Sequence, residues 1–274
     1  RDLAVATWRT WGGRGLARRA AYEASRRAGR VRAVEDAWKE SGSATQPLRA
    51  VGAVARPSTV TAPDPSRLRP DRIVLYGGVE VPLPSGEGWH RHPFTGHEYD
   101  PSLHWSEISD ASVDAGDVKD VWEPARLGWL QPVLRHWAAS GDAAAAERIW
   151  TVIEDWYGHN PPYRGPSWMC GQETSLRTIS VLFLAEALDA SPATTDGRRL
   201  LAARIVRDAV GRVAPTLGYA LSQRNNHASS EAGFLWSATV LAPWLPDAAV
   251  LRSRAERALT EVLDDQFGPD GAYA

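Results

Sequence analysis

The sequence predicts an all-α protein: an incomplete array of antiparallel helix hairpins, preceded by a basic helical arm and a short β-hairpin with an irregular segment. Three observations predict it. From Asp117 onward apolar residues recur near the helical period. Helix starts repeat about every 25 residues with short connections, the spacing of stacked hairpins. At 274 residues and 43% hydrophobic content the chain can bury a large core without staples.

Residues 1–40 form the arm. Positions 1–34 hold nine arginines against Asp2 and Glu23, in a chain whose net charge is only −2, so the remainder is acidic. One or two basic helices are expected, broken near Gly12, Gly13 and Gly15 and docked on the acidic body or solvated. The arm lacks the uninterrupted apolar stretch of a secretory signal. Residues 41–72, with Pro57, Pro63, Pro65 and Pro70, read as a linker. In 73–116, Ile73–Tyr76 and Val79–Val81 flank Gly77-Gly78 as a hairpin, and an irregular Pro-, Gly-, His- and Trp-rich stretch follows, packed over a groove.

Residues 117–274 carry the helices. Trp122, Leu130, Val133, Leu134 and Trp137 form one periodic segment closed by Gly141. Asp142 caps the next, which buries Ala146, Ile149, Val152, Ile153 and Trp156. Further helices fall at roughly 170–190, 196–213, 228–242 and 248–266. Six helices make three hairpins, and closing a ring needs more.

Composition excludes several functions. The near balance of 33 acidic and 31 basic residues argues against a dedicated nucleic-acid binder. A single cysteine, Cys170, excludes a disulfide framework and a Cys-based zinc site. No apolar run is long enough to span a membrane, and nothing sets an oligomeric state. His90, His92, His97 and His104 invite a metal reading, but only Glu87, Glu98 and Asp100 lie near enough in sequence to complete a shell, so no metal or cofactor is expected. Phosphate-binding glycine loops and nucleophile elbows are absent. Of the 31 basic residues all but Lys39 and Lys119 are arginine, and Trp outnumbers Phe by 13 to 4. The arginine excess reads first as a coding bias without functional meaning and most of the tryptophans as core. Guanidinium forks nonetheless suit carboxylates and indoles suit sugar faces, so together they raise the odds of an acidic glycan without establishing one.

The most informative stretch is Arg224-Asn225-Asn226-His227, entering a small-residue helix, with Glu231 one turn on. Helix N-termini favour anions, and Glu231 shares a face with His227, where it can orient the ring. Read alone, either amide could cap the helix while His227 packs.

The wider context resembles the heparinase II/III-like polysaccharide lyases. The residues that carry the resemblance are Asn225-Asn226-His227 with Gln266-Phe267-Gly268-Pro269-Asp270-Gly271 downstream, Gly116-Asp117-Val118-Lys119 with Trp122-Glu123 and Arg126, Gly165-Pro166-Ser167-Trp168 with Glu173 and Arg177, and the Trp89–Trp105 loop. The resemblance covers about residues 73–274. It implies a partial (α/α) toroid and cleavage of a uronic-acid-containing anionic polysaccharide by β-elimination. It implies that Asn226 neutralises the uronate carboxylate with His227 assisting or acting as base, while Asn225 holds the turn. Glu231 supports the imidazole, and Trp168, Glu173, Arg177, Arg126 and Glu123 line the groove, with Trp168 as a sugar platform. It implies a periplasmic, cell-surface or secreted protein, and that the catalytic tyrosine and a C-terminal β-sandwich lie beyond Ala274, so that Tyr273 is not that residue. Two other readings remain: a glycoside hydrolase using Glu123 and Glu173, and a non-catalytic glycan-binding scaffold.

Overall fold

Left-handed residues mark the corners at which this chain changes direction. Leu127, Arg224 and Asp247 all have positive φ without being glycine; Leu127 and Asp247 lie directly before a helical turn or helix, and Arg224 directly after a helix. The computed structural model describes residues 2–49, 61, 63, 68–109 and 113–273, the backbone alone for 2–11 and 113. Half of the expected 41–72 linker, Pro57 and Pro65 included, lies outside them. The fold is all-α, as predicted, with a single two-stranded sheet among the described residues. Two compact units divide the chain, Thr45–Val206 and a second assembled from Arg1–Ala44 with Arg207–Ala274.

In the Thr45–Val206 unit, β1 (Arg72–Leu75) pairs antiparallel with β2 (Val79–Pro82), Ile73 opposite Val81 and Leu75 opposite Val79. Tyr76 and Gly77 both adopt positive φ in the turn, which glycine accepts without strain. Ile73, Leu75 and Val81 form a small core with Leu83 and Trp129. The irregular stretch after β2 is tied down through Trp89, whose indole N–H donates to Asp155 at 2.7 Å.

Helices α3 (Lys119–Ala125) and α4 (Gln131–Ser140) correct the expected single segment. Leu127 turns left-handed, a 3-10 turn spans Gly128–Leu130, and Pro132 sits in the first turn of α4, where its missing N–H is harmless. Gly141 ends α4 with φ 75°, and Asp142 caps α5 (Ala143–His159) by accepting the Ala144 N–H at 3.0 Å. α5 buries Ala146, Ile149, Trp150, Ile153 and Trp156 on one face. Next come α6 (Gly171–Ala187) and α7 (Asp196–Val213). Before and within α7, Thr194 accepts the Trp150 indole N–H at 2.9 Å, and Arg198 grips both Glu147 and Glu154 of α5.

In the other unit, α1 (Asp2–Arg27) kinks at Gly12 and α2 (Arg30–Glu40) follows the left-handed Gly29. The remaining elements are the end of α7, then α8 (Leu217–Gln223), α9 (Asn226–Leu241) and α10 (Ala248–Gln266). Short α8 fills a span in which no helix is expected from the sequence. α1 lies on α8, Tyr22 stacked on Tyr219 at 4.3 Å between ring centres, and Arg18 forks onto Glu261 of α10. The Trp38 indole of α2 donates to the Arg207 carbonyl at 2.9 Å. α9 buries Ala228, Ala232, Leu235 and Thr239, and α10 buries Leu251, Ala255, Ala258 and Val262. These equal spacings put one stripe of each helix against the other, with small residues permitting close approach.

Candidate functional site

The Asn-Asn-His segment is a helix entrance. Arg224 ends α8 in the left-handed conformation, Asn225 is extended, and its side-chain oxygen accepts the His227 main-chain N–H at 3.0 Å. Asn225 is therefore the N-cap of α9. That duty leaves Asn226 exposed, its carboxamide making no hydrogen bond among the described residues. The Asn226 carbonyl accepts the hydroxyls of Ser229 and Ser230, which pins the first turn.

His227 is half-buried, with Nδ1 3.8 Å from Glu231 Oε1. Glu231 is buried, and its Oε2 has no hydrogen-bond partner among the described residues. Burial pushes its pKa up, opposed by His227 and by the buried Arg212. A solvent-facing amide and an imidazole braced from behind thus stand at the positive end of a 16-residue helix. Such a site can accept and neutralise a carboxylate.

The other predicted residues belong to the Thr45–Val206 unit. Arg126 joins two acids: Nε and Nη2 fork onto Glu173 at 2.6 and 2.7 Å, and Nη1 bonds Glu123. The guanidinium occupies the space between the two carboxylates. Glu173 is buried and pairs with Arg126 across α3 and α6, not with Arg177 along its own helix. Lys119 faces Asp117.

Two groove expectations need correction. Trp168 is 1% exposed, packed against Trp156 and Tyr163, and its indole donates to the Asn160 carbonyl at 3.2 Å; a wholly enclosed ring offers no sugar platform. Arg177 does not face a groove either. It is 1% exposed, its guanidinium 4.4 Å from the Trp156 ring centre, and it donates to the Ser167 carbonyl. Burial pushes its pKa down to about 10, with Glu173 opposing. Cation–π contact and a nearby carboxylate are what make such a charge tolerable inside.

The four histidines serve separate partners. His90 bonds the His159 carbonyl, His97 meets the edge of Tyr99, and His104 caps the Trp105–Glu107 turn. His92 Nδ1 accepts two main-chain N–H groups, from Phe94 and Thr95, so its proton is on Nε2, facing Asp120 at 3.3 Å. Asp120 also accepts the Tyr76 hydroxyl at 2.6 Å. Tyr76, Asp120 and His92 thus come together from three segments remote in sequence, Tyr76 hydrogen-bonded to Asp120 and His92 Nε2 close to it without a hydrogen bond. The one sequence signal of this grouping is Gly116, where an added Cβ would lie 2.4 Å from the His92 ring. Among the described residues no cluster of acids, histidines and cysteine has the arrangement of a metal site, and no helix is long and apolar enough to cross a membrane.

A heparinase III structure, that of the BT4657 gene product with methylated lysines, matches 96% of this chain at TM-score 0.52 and 18% identity. A second structure of the same gene product matches 94% at TM-score 0.51 and 17% identity. These likenesses show the fold, the partial (α/α) toroid of helix hairpins expected above. The chain spans about 40% of the length of those heparinase III chains. No family model and no curated protein sequence matches it.

Proposed function

We propose that the chain is the helical part of a polysaccharide lyase that cleaves a uronic-acid-containing glycan by β-elimination. The observation that carries this reading is the division of labour at the α9 entrance: Asn225 caps the helix, so Asn226 is left to the solvent side with His227 beside it. The likeness to heparinase III supports a lyase-like scaffold.

The chemistry follows from charge. In the ground state the uronate carboxylate carries one negative charge, and the proton on C5 is a poor acid. Removing it spreads a second charge onto the carboxylate. Hydrogen bonds from the Asn226 amide and the His227 imidazole, at a helix N-terminus, strengthen as that charge develops and lower the barrier. A base takes the C5 proton, the electron pair freed at C5 forms the C4–C5 double bond, the C4–O4 bond breaks, and O4 leaves with a proton from an acid. Glu231 holds the His227 ring from its Nδ1 side. In relatives of this family the catalytic tyrosine follows the segment that corresponds to Pro269-Asp270-Gly271, so activity is assayed in a protein that includes the residues after it.

A hydrolase using Glu123 and Glu173 has no support in the geometry, because Arg126 already fills the gap between them. The test is Asn226→Ala in the full-length protein. Turnover, followed by near-ultraviolet absorbance of the unsaturated product, should fall about 10²–10³-fold, the usual effect of deleting one charge-stabilising donor. Unchanged turnover and unchanged glycan binding would overturn the reading.

A further inference from the structure

One cleft gathers four arginines that the α9 entrance leaves unexplained. It lies within the unit built from both chain segments, has a volume of about 640 Å³, and runs between the Gly12 kink of α1, the end of α8 and the last turns of α10. Four guanidinium groups line it: Arg14, Arg18, Arg224 and Arg257. Two are committed, Arg18 to Glu261 and Arg224 to Asp265. Arg14 adds its charge near Glu261 but makes no hydrogen bond among the described residues, and Arg257 has neither an ion pair nor a hydrogen bond among them. With Asp264 as the third acid, the lining remains net positive.

Two features give the cleft a direction. A second lobe of about 330 Å³ shares Arg18, Leu221, Arg257 and Glu261 with it and adds Arg254, so the depression is elongated with Arg257 at the junction. At its other side Arg224 is the residue immediately before Asn225. An elongated, arginine-lined depression that abuts the α9 entrance fits a linear chain carrying an anion on successive residues better than a single small anion. Guanidinium forks match the planar carboxylate and the sulfate oxygens.

We infer that this cleft is an extended anion-binding subsite, in which Arg14 and Arg257 hold carboxylate or sulfate groups of the glycan on sugars beyond the one held by Asn226. This inference rests on the functional reading above for the identity of the ligand, but not for the presence of an anion site. The existing pairs with Glu261 and Asp265 keep Arg18 and Arg224 in place, so that an incoming polyanion meets a lining that is already arranged.

The experiment is titration calorimetry of the chain with a heparin-derived tetrasaccharide, and with maltotetraose as a neutral probe of equal length. Arg14 and Arg257 are exposed, so Arg14→Gln/Arg257→Gln should leave the circular dichroism and the unfolding midpoint unchanged. It should weaken tetrasaccharide binding about tenfold or more for each guanidinium removed, and steepen neither curve for maltotetraose. Raised salt should erase the difference between wild type and variant. Binding that is unaffected by the double substitution overturns the inference, and if Asn226→Ala still abolishes turnover the functional reading survives alone. Weakened tetrasaccharide binding in Arg14→Gln/Arg257→Gln together with unchanged turnover and unchanged glycan binding in Asn226→Ala supports the anion subsite and removes the role assigned to Asn226.

Discussion

Replacing Asn225 by alanine deletes one acceptor and strands one donor, the His227 main-chain N–H that it now receives at 3.0 Å. An N-cap lost to alanine costs about 1 kcal/mol. In a chain of this size that corresponds to a melting point lower by roughly 2–4 °C. Asn226, one residue on, has an exposed carboxamide with no hydrogen bond among the described residues, so Asn226→Ala should stay within about 0.5 kcal/mol of wild type. Asn225→Asp keeps the acceptor and adds a negative charge where the helix N-terminus favours it, and should match or exceed wild type at neutral pH. Urea unfolding of the three variants followed by far-ultraviolet circular dichroism gives the comparison. If Asn226→Ala proved as costly as Asn225→Ala, or Asn225→Ala proved neutral, the assignment of cap to one amide and ligand to the other would fail.

Two further outcomes follow from the buried charges. Arg126→Ala leaves Glu173, whose side chain is 4% exposed, without its fork, and should cost about 3 kcal/mol; adding Glu173→Gln should restore part of the loss in the same urea titration, and no restoration would count against the pairing. Glu231 has a pKa raised above its ordinary 4.5, so the folded state retains that proton more tightly than the unfolded state. Its contribution to stability is therefore greatest at low pH and is lost as pH rises from about 4.5 through the raised value. Glu231→Gln should flatten this part of the stability profile, measured as urea midpoints between pH 4 and pH 8. A wild-type advantage that grew with pH would reverse the sign and refute the assignment.

The helices were legible where periodicity and caps agree. Trp122 through Trp156 repeat at helical spacing, and Gly141-Asp142 punctuates them by stop and cap chemistry that any reader of the sequence can apply. The break at Leu127 was not legible, because leucine carries no signal for a left-handed turn and only Pro132 hinted at a restart. α8 was missed for its shortness, seven residues giving too few periods to register. Residue types at the site could be named from the sequence, but not their direction. Trp168 and Arg177 have the chemistry of a sugar groove, yet both are spent in a buried aromatic stack. Tyr76, His92 and Asp120 meet only through tertiary packing, for which local spacing holds no record. The separate duties of Asn225 and Asn226 are decided by one backbone hydrogen bond.

The pairing of Tyr22 with Tyr219 has a consequence for how the chain is made. The first helices leave the ribosome long before α8 and α10, the partners they lie on, exist. The Thr45–Val206 stretch is contiguous and can settle as it emerges, whereas the arm must wait with its tyrosine unpaired until α8 is synthesised. Ring closure over so much intervening chain is slow compared with local helix formation. The arm's many arginines, mutually repelling, keep it soluble through that interval.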